Sequence, residues 1–128
     1  MRIAVFLDQS FPPDSRVENE AYSLIQAGHE VNLFSLNYKK LKPQNIKVNG
    51  IHVYRQEVSS FLYRSSALAY EWSYYHKKLK KPIQDFLNKV KPEAIHVHDM
   101  LMAKAVMDVN DELFKIPLIL DLHENRPE

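Results

Sequence analysis

Cysteine is absent, which removes disulfides, thiolate metal sites and cysteine nucleophiles. Glycine is nearly absent, with only Gly28 and Gly50. Two isolated glycines cannot build a G-x-G-x-x-G fingerprint or any other glycine-rich phosphate loop, so a dinucleotide enzyme of that type is excluded. Charge of one sign is not in excess. The formal net charge is +1, which argues against a chain committed to nucleic acid by bulk electrostatics. Long hydrophobic runs are missing as well. The opening "MRIAVFLDQS" is too short for a signal segment or a membrane span, so a cytoplasmic location is the expectation. No repeat, low-complexity segment or interdomain linker interrupts the chain.

What is present describes one domain. A chain of 128 residues can bury roughly 65–70% of its unfolded surface. Residues 2–7, "RIAVFL", read as a buried strand, and "DQSFPPDS" follows as a loop. Ser15 and Glu18 stand at capping-box spacing before a helix whose Val17, Ala21, Leu24 and Ile25 recur on one face. Gly28 is free to adopt the left-handed conformation past its last turn. Residues 30–36 read as the second strand. Asn49-Gly50 suits a type I′ turn joining "IKV" to a third strand, "IHVYR". A helical stripe from about Ser65 runs through Leu68, Trp72, Tyr75, Leu79, Ile83, Phe86, Leu87 and Val90, with a kink or break expected at Pro82. A strand at 94–98 comes next. A helix over 100–115 follows, its apolar content Ala103, Val106, Met107 and the stretch 109–113. "PLILDLH" closes the pattern as a fifth strand. Such alternation predicts an α/β fold: a doubly wound, Rossmann-like parallel sheet of order 3-2-1-4-5.

In such a sheet, ligands bind beyond the C-terminal strand ends where the strand order reverses, here between strands one and four. Three segments send polar groups to that rim. They are Asp8, Gln9, Ser10 and Phe11 after strand one, His98, Asp99 and Met100 after strand four, and His123 and Glu124 after strand five. His96 and His98 share one face of their strand, a spacing that suits a metal. The plainer reading leaves His96 covered under a helix and only His98 at the rim. Asp121 shares a face with His123, and a carboxylate buried there needs a partner or anchors a loop. The helix opening at Ser15 offers free N–H groups to an anion, with Arg16 the one cation among Asp14, Glu18 and Glu20. Lys77, Lys78, Lys80 and Lys81 form either a solvated face or a peripheral contact with an anionic membrane.

Taken in order, "FPPDSRVENEAYSLIQAGHEVNLFS", "GIHVYR", "KPEAIHVHDMLMAKAV" and "PLILDLHENRPE" resemble the N-terminal part of a GT-B glycosyltransferase, closest in type to the retaining family 4. The resemblance covers nearly the whole chain. It implies an acceptor-side domain of an enzyme that moves a sugar from a nucleotide-sugar donor to a glycan, lipid or small-molecule acceptor, usually without metal or other cofactor. It implies that His123 contacts the donor sugar near the reaction centre. It also implies that His98, Asp99 and Met100 line the acceptor side, and that the first loop corresponds to residues 9–16. Many members carry a glycine pair in that loop where this chain has Pro12-Pro13-Asp14, which weakens a phosphate role for it. The donor-binding domain and the last strands of the N-terminal one have no counterpart in these 128 residues. The expectation is therefore a domain truncated before its last strands and inactive alone. Two other readings stay open: a metal-dependent hydrolase using His96, His98 and Asp99, weakened by the lack of further ligands on other strands, and a non-catalytic flavodoxin-like binding module.

Overall fold

Strand β1, Arg2–Leu7, has no solvent-facing side beyond its first residue. Ala4 and Phe6 point into one apolar layer, and Ile3, Val5 and Leu7 into the other. This is why "RIAVFL" lacks polar alternation: a central parallel strand is covered on both faces. The structure, a computed structural model, describes residues 1–7, 11, 15–37, 45–57, 74–98 and 100–121. Around β1 it arranges helix α1 (Ser15–Gln26), strands β2 (Glu30–Asn37), β3 (Asn45–Val48) and β4 (Ile51–Glu57), and helix α2 (Tyr74–Val90). Strand β5 (Ala94–Val97), helix α3 (Met100–Val109), a π-helical turn (Asn110–Phe114) and strand β6 (Leu118–Leu120) complete it.

The sheet order is β3-β4-β2-β1-β5-β6. The five principal strands are parallel and take the predicted order, while β3 pairs antiparallel with β4 at the edge. The hairpin therefore makes the sheet mixed rather than purely parallel. Asn49 and Gly50 both have positive φ, 50° and 89°, as a type I′ turn requires. Gly28 is left-handed at φ 96° past the end of α1.

One face of the sheet is covered by α2 and α3. Phe6, Phe34 and Phe86 meet there at centroid distances of 5.3–5.4 Å, and Tyr54 adds an edge-on contact to Phe86 at 5.1 Å. Each such buried ring contributes on the order of 1.5–3 kcal/mol through area alone. The other face is covered by α1 through Val17 and Ala21, which pack with Val31, Leu33 and Val53.

Two expectations are corrected. Of the kink or break expected at Pro82, the break does not occur: the helix is continuous from Tyr74 to Val90 with Pro82 inside it. Leu79 and Ile83, one turn apart around the proline, are both fully buried, and that packing offsets the lost backbone hydrogen bond. The next helix is regular only to Val109, and Met107 and Leu113 are exposed rather than core. The cause is Asn110, buried at the turn. Its side chain donates to the Ile116 carbonyl at 2.9 Å and accepts from the Ile116 N–H at 3.1 Å. This pair of hydrogen bonds between one side chain and one backbone residue takes the chain out of the α-ladder and aims it into β6. The part of the first long helical stripe before Tyr74, with Leu68 and Trp72, lies outside the described residues, as does the side chain of Tyr75.

Candidate functional site

The connection from β1 through α1 leads to β2 on one side, and β5 flanks β1 on the other. The switch in strand order thus falls between β1 and β5, as predicted. His98 sits at that point: its backbone N–H donates to the Phe6 carbonyl at 3.0 Å, one step past the end of β5.

Alternation along β5 sends Ile95 and Val97 into the α2/α3 layer and His96 and His98 to the α1 side. The two imidazoles stack with centroids 4.3 Å apart and planes inclined by 29°. Two carboxylates from other elements converge on them. Glu20 of α1 places Oε1 3.3 Å from His98 Nε2. Asp121, just past β6, places Oδ2 3.6 Å from His96 Nε2. The Asp121 N–H donates to the Val97 carbonyl at 2.8 Å, which extends the β5–β6 ladder by one residue and fixes where the carboxylate starts. All four ligand-type atoms lie within 4.8 Å of one another. Glu20 Oε1 and His96 Nε2 are buried and make no hydrogen bond.

Both histidine side chains are largely covered, His98 more so than expected. His98, assigned to the rim, has a side chain only 2% exposed, whereas His96, expected under a helix, is 19% exposed. The cluster also supplies what the metal reading lacked, since acidic groups come from α1 and from the end of β6. The sequence carried a signal for Glu20. It lies three residues after Val17 and four before Leu24, on the inward stripe of α1 rather than its solvent side.

The other predicted site residues are placed as follows. Phe11 is fully buried in the α1-side cluster, and its carbonyl accepts from Arg55 Nε at 3.2 Å. It therefore gives the rim a pinned backbone position, not an exposed ring. Arg16 is exposed on the first turn of α1. Gln9, Ser10, Asp99, His123 and Glu124 lie outside the described residues, as does the side chain of Met100. Of Lys77, Lys78, Lys80 and Lys81 on α2, Lys81 is held by Asp85 at 2.8 Å and Lys80 stands 3.8 Å from Asp108. No helix among the described residues is long and apolar enough to cross a membrane. A cleft of about 320 Å³ bordered by Tyr54, Lys81, Asp85 and Lys89 opens at the β3–β4 edge, away from the histidine pair. It lacks the convergent groups of the switch point, so chemistry rather than volume selects the site.

No protein-family model and no curated protein sequence matches the chain. Its fold does match solved structures. A trehalose-6-phosphate protein of E. coli with UDP-2-fluoro glucose bound superposes with a TM-score of 0.70 at 11% identity, over 99% of this chain and 34% of that one. A sucrose-phosphate synthase from Thermosynechococcus elongatus gives 0.69 at 13% identity, over 96% and 33%. The C-terminal domain of a Pyrococcus furiosus hydrogenase gives 0.63 at 15% identity, over 94% and 90%. The chain spans about a third of the length of the first two. The fold is therefore that of one part of GT-B glycosyltransferases, matched over nearly the whole of this chain.

Proposed function

We propose that this chain is the acceptor-side N-terminal domain of a retaining glycosyltransferase. The transferred sugar comes from a nucleotide-sugar donor, and the acceptor is a glycan, lipid or small molecule. The observation that carries this reading is the coincidence of two independent facts. The fold follows one part of GT-B enzymes over its full length, and His98 stands at the switch point between β1 and β5, where such a sheet binds ligands. The family resemblance read in the sequence adds His123 as the contact to the donor sugar and residues 98–100 as the acceptor wall. The sequence reading adds Gln9, Ser10, Phe11, Arg16 and Glu124 as further substrate contacts.

The chemistry divides accordingly. Loss of a nucleoside diphosphate builds negative charge on the leaving phosphates, and groups that stabilise this charge in the transition state dominate catalysis. This chain has no glycine-rich anion loop, and its first helix opens among carboxylates. The stabilising cations therefore belong to a second domain or partner chain, and these 128 residues alone do not turn over. Their contribution is to orient the acceptor hydroxyl.

The test is calorimetric titration of the chain with UDP-glucose and, separately, with acceptor-type sugars and sugar phosphates, followed by backbone NMR. The expected result is no saturable heat from UDP-glucose up to about millimolar concentration. Acceptor sugars are expected to bind weakly, shifting amides at the ends of β1 and β5. Tight binding of UDP-glucose by this chain alone contradicts the division of labour.

A further inference from the structure

We propose that Glu20, His96, His98 and Asp121 bind one divalent transition-metal ion, zinc being the best fit, in a closed structural site that fastens α1 to β5 and β6. This goes beyond the glycosyltransferase reading and does not depend on it.

The donor set comes first. Two imidazole nitrogens and two carboxylate oxygens are the mixed nitrogen–oxygen set that zinc accepts in four-coordinate sites. They arise from three elements far apart in sequence, with the two histidines at adjacent same-face positions at the end of β5. Geometry is the second argument. Zinc–nitrogen and zinc–oxygen bonds of about 2.0–2.2 Å set tetrahedral ligand atoms about 3.3–3.6 Å apart. The Glu20–His98 and His96–Asp121 pairs already stand at 3.3 and 3.6 Å. The widest of the separations, within 4.8 Å, closes by small side-chain rotations.

Hydrogen bonding gives the third argument. If the cluster were two ordinary imidazole–carboxylate pairs, each acceptor would hold a proton at hydrogen-bond geometry. Instead Glu20 Oε1 and His96 Nε2 are both buried and both without a hydrogen bond. An unsatisfied buried acceptor costs roughly 1–3 kcal/mol, and two of them facing one small volume indicate a missing common partner. Charge is the fourth. One divalent ion cancels the charge of the two carboxylates and takes one nitrogen from each of the stacked rings. With four protein donors the coordination is complete, so the ion leaves no open position for a substrate and is structural rather than catalytic.

The test uses the full chain. Chain purified without affinity metal is loaded with zinc, dialysed against metal-free buffer, and assayed for bound metal and thermal midpoint. Cobalt serves as the spectroscopic probe. The proposal expects one zinc per chain, a zinc-dependent rise in Tm of several degrees, and the strong visible bands of tetrahedral cobalt. Glu20→Gln and His96→Ala, both at partly exposed positions, are expected to fold and to weaken binding by roughly a hundredfold or more. Zinc lost on dialysis with no Tm shift overturns the proposal. So does binding that is unchanged in both variants, because that places the ion elsewhere. His98 is common to this site and the acceptor wall, so sugar binding is read by separate titration, and its outcome does not decide whether zinc binds.

Discussion

Two buried polar side chains near the C-terminal end of the sheet show how differently such groups behave. Arg55 is 9% exposed, and its Nε donates to the Phe11 carbonyl at 3.2 Å, pinning the approach to α1. Ser35 pairs across the sheet with the backbone of Arg55 and is fully buried, yet its hydroxyl makes no hydrogen bond. A buried hydroxyl without a partner carries its desolvation cost with no return. Ser35→Ala is therefore expected to leave stability unchanged or to raise it by about 1 kcal/mol, read as the midpoint shift in urea unfolding. A loss of more than about 1 kcal/mol would mean that the hydroxyl is satisfied in solution. The sequence offered no hint of this site, because "LFSL" reads the same whether its serine is bonded or orphaned.

At the scale of elements, strand starts differ from strand ends. The starts of β1 and β2 carry a charged pair, Arg2 Nε to Glu30 Oε1 at 3.6 Å, and Asn32 donates to Glu30 Oε2 at 3.0 Å. The Asn32 hydrogen bond, assisted by the charges of Arg2 and His52, holds the Glu30 carboxyl below its ordinary value of 4.5. A depressed carboxyl stabilises the fold above its unfolded pKa, and that contribution disappears as pH falls through the folded value. Glu30 is half exposed, so screening keeps the effect small. Glu30→Gln is expected to lower stability near pH 7 by no more than about 0.5 kcal/mol, with the difference vanishing near pH 3. Urea unfolding at the two pH values checks this, and an equal gap at both would remove the electrostatic cause.

Elements were legible in the sequence where a local rule had no competitor. The Asn49-Gly50 turn, the Gly28 helix end and the stripe of α1 each follow from backbone sterics or a single buried face. The misreadings occurred where long-range packing won. Pro82 stays inside α2 because Leu79 and Ile83 are locked in the core. The end of α3 is set by Asn110 and Ile116, a pairing invisible to periodicity. The candidate site was legible as a location, the β1–β5 switch point, but not as a constellation. Which of His96 and His98 is the more buried depends on how α1 lies over the sheet, and no period along β5 contains that.

The molecule as a whole is asymmetric about its sheet, and this fixes where it opens first. β1 is flanked by β2 and β5 and buried on both faces, while β2 is buried over seven of its eight residues. β6 is three residues long and forms one edge. It buries Leu118 and Leu120 only partly against the α2/α3 side, and leaves Ile119 63% exposed on the other. β3, at the opposite edge, alternates exposed and half-buried residues. Stability in such a sheet is graded, because a strand exchanges its amides through the cheapest opening that frees it. Native-state hydrogen exchange is therefore expected to show β1 and β2 amides exchanging only through global unfolding. Those of β3 and β6 should exchange at least about a hundredfold faster, equivalent to roughly 2.7 kcal/mol less protection. Equal protection of β6 and β1 at low protein concentration would mean that the exposed face at Ile119 is covered in solution. Repeating the exchange over a concentration series separates the two origins. Protection that grows with concentration comes from association between copies, and protection that does not belongs to the chain itself.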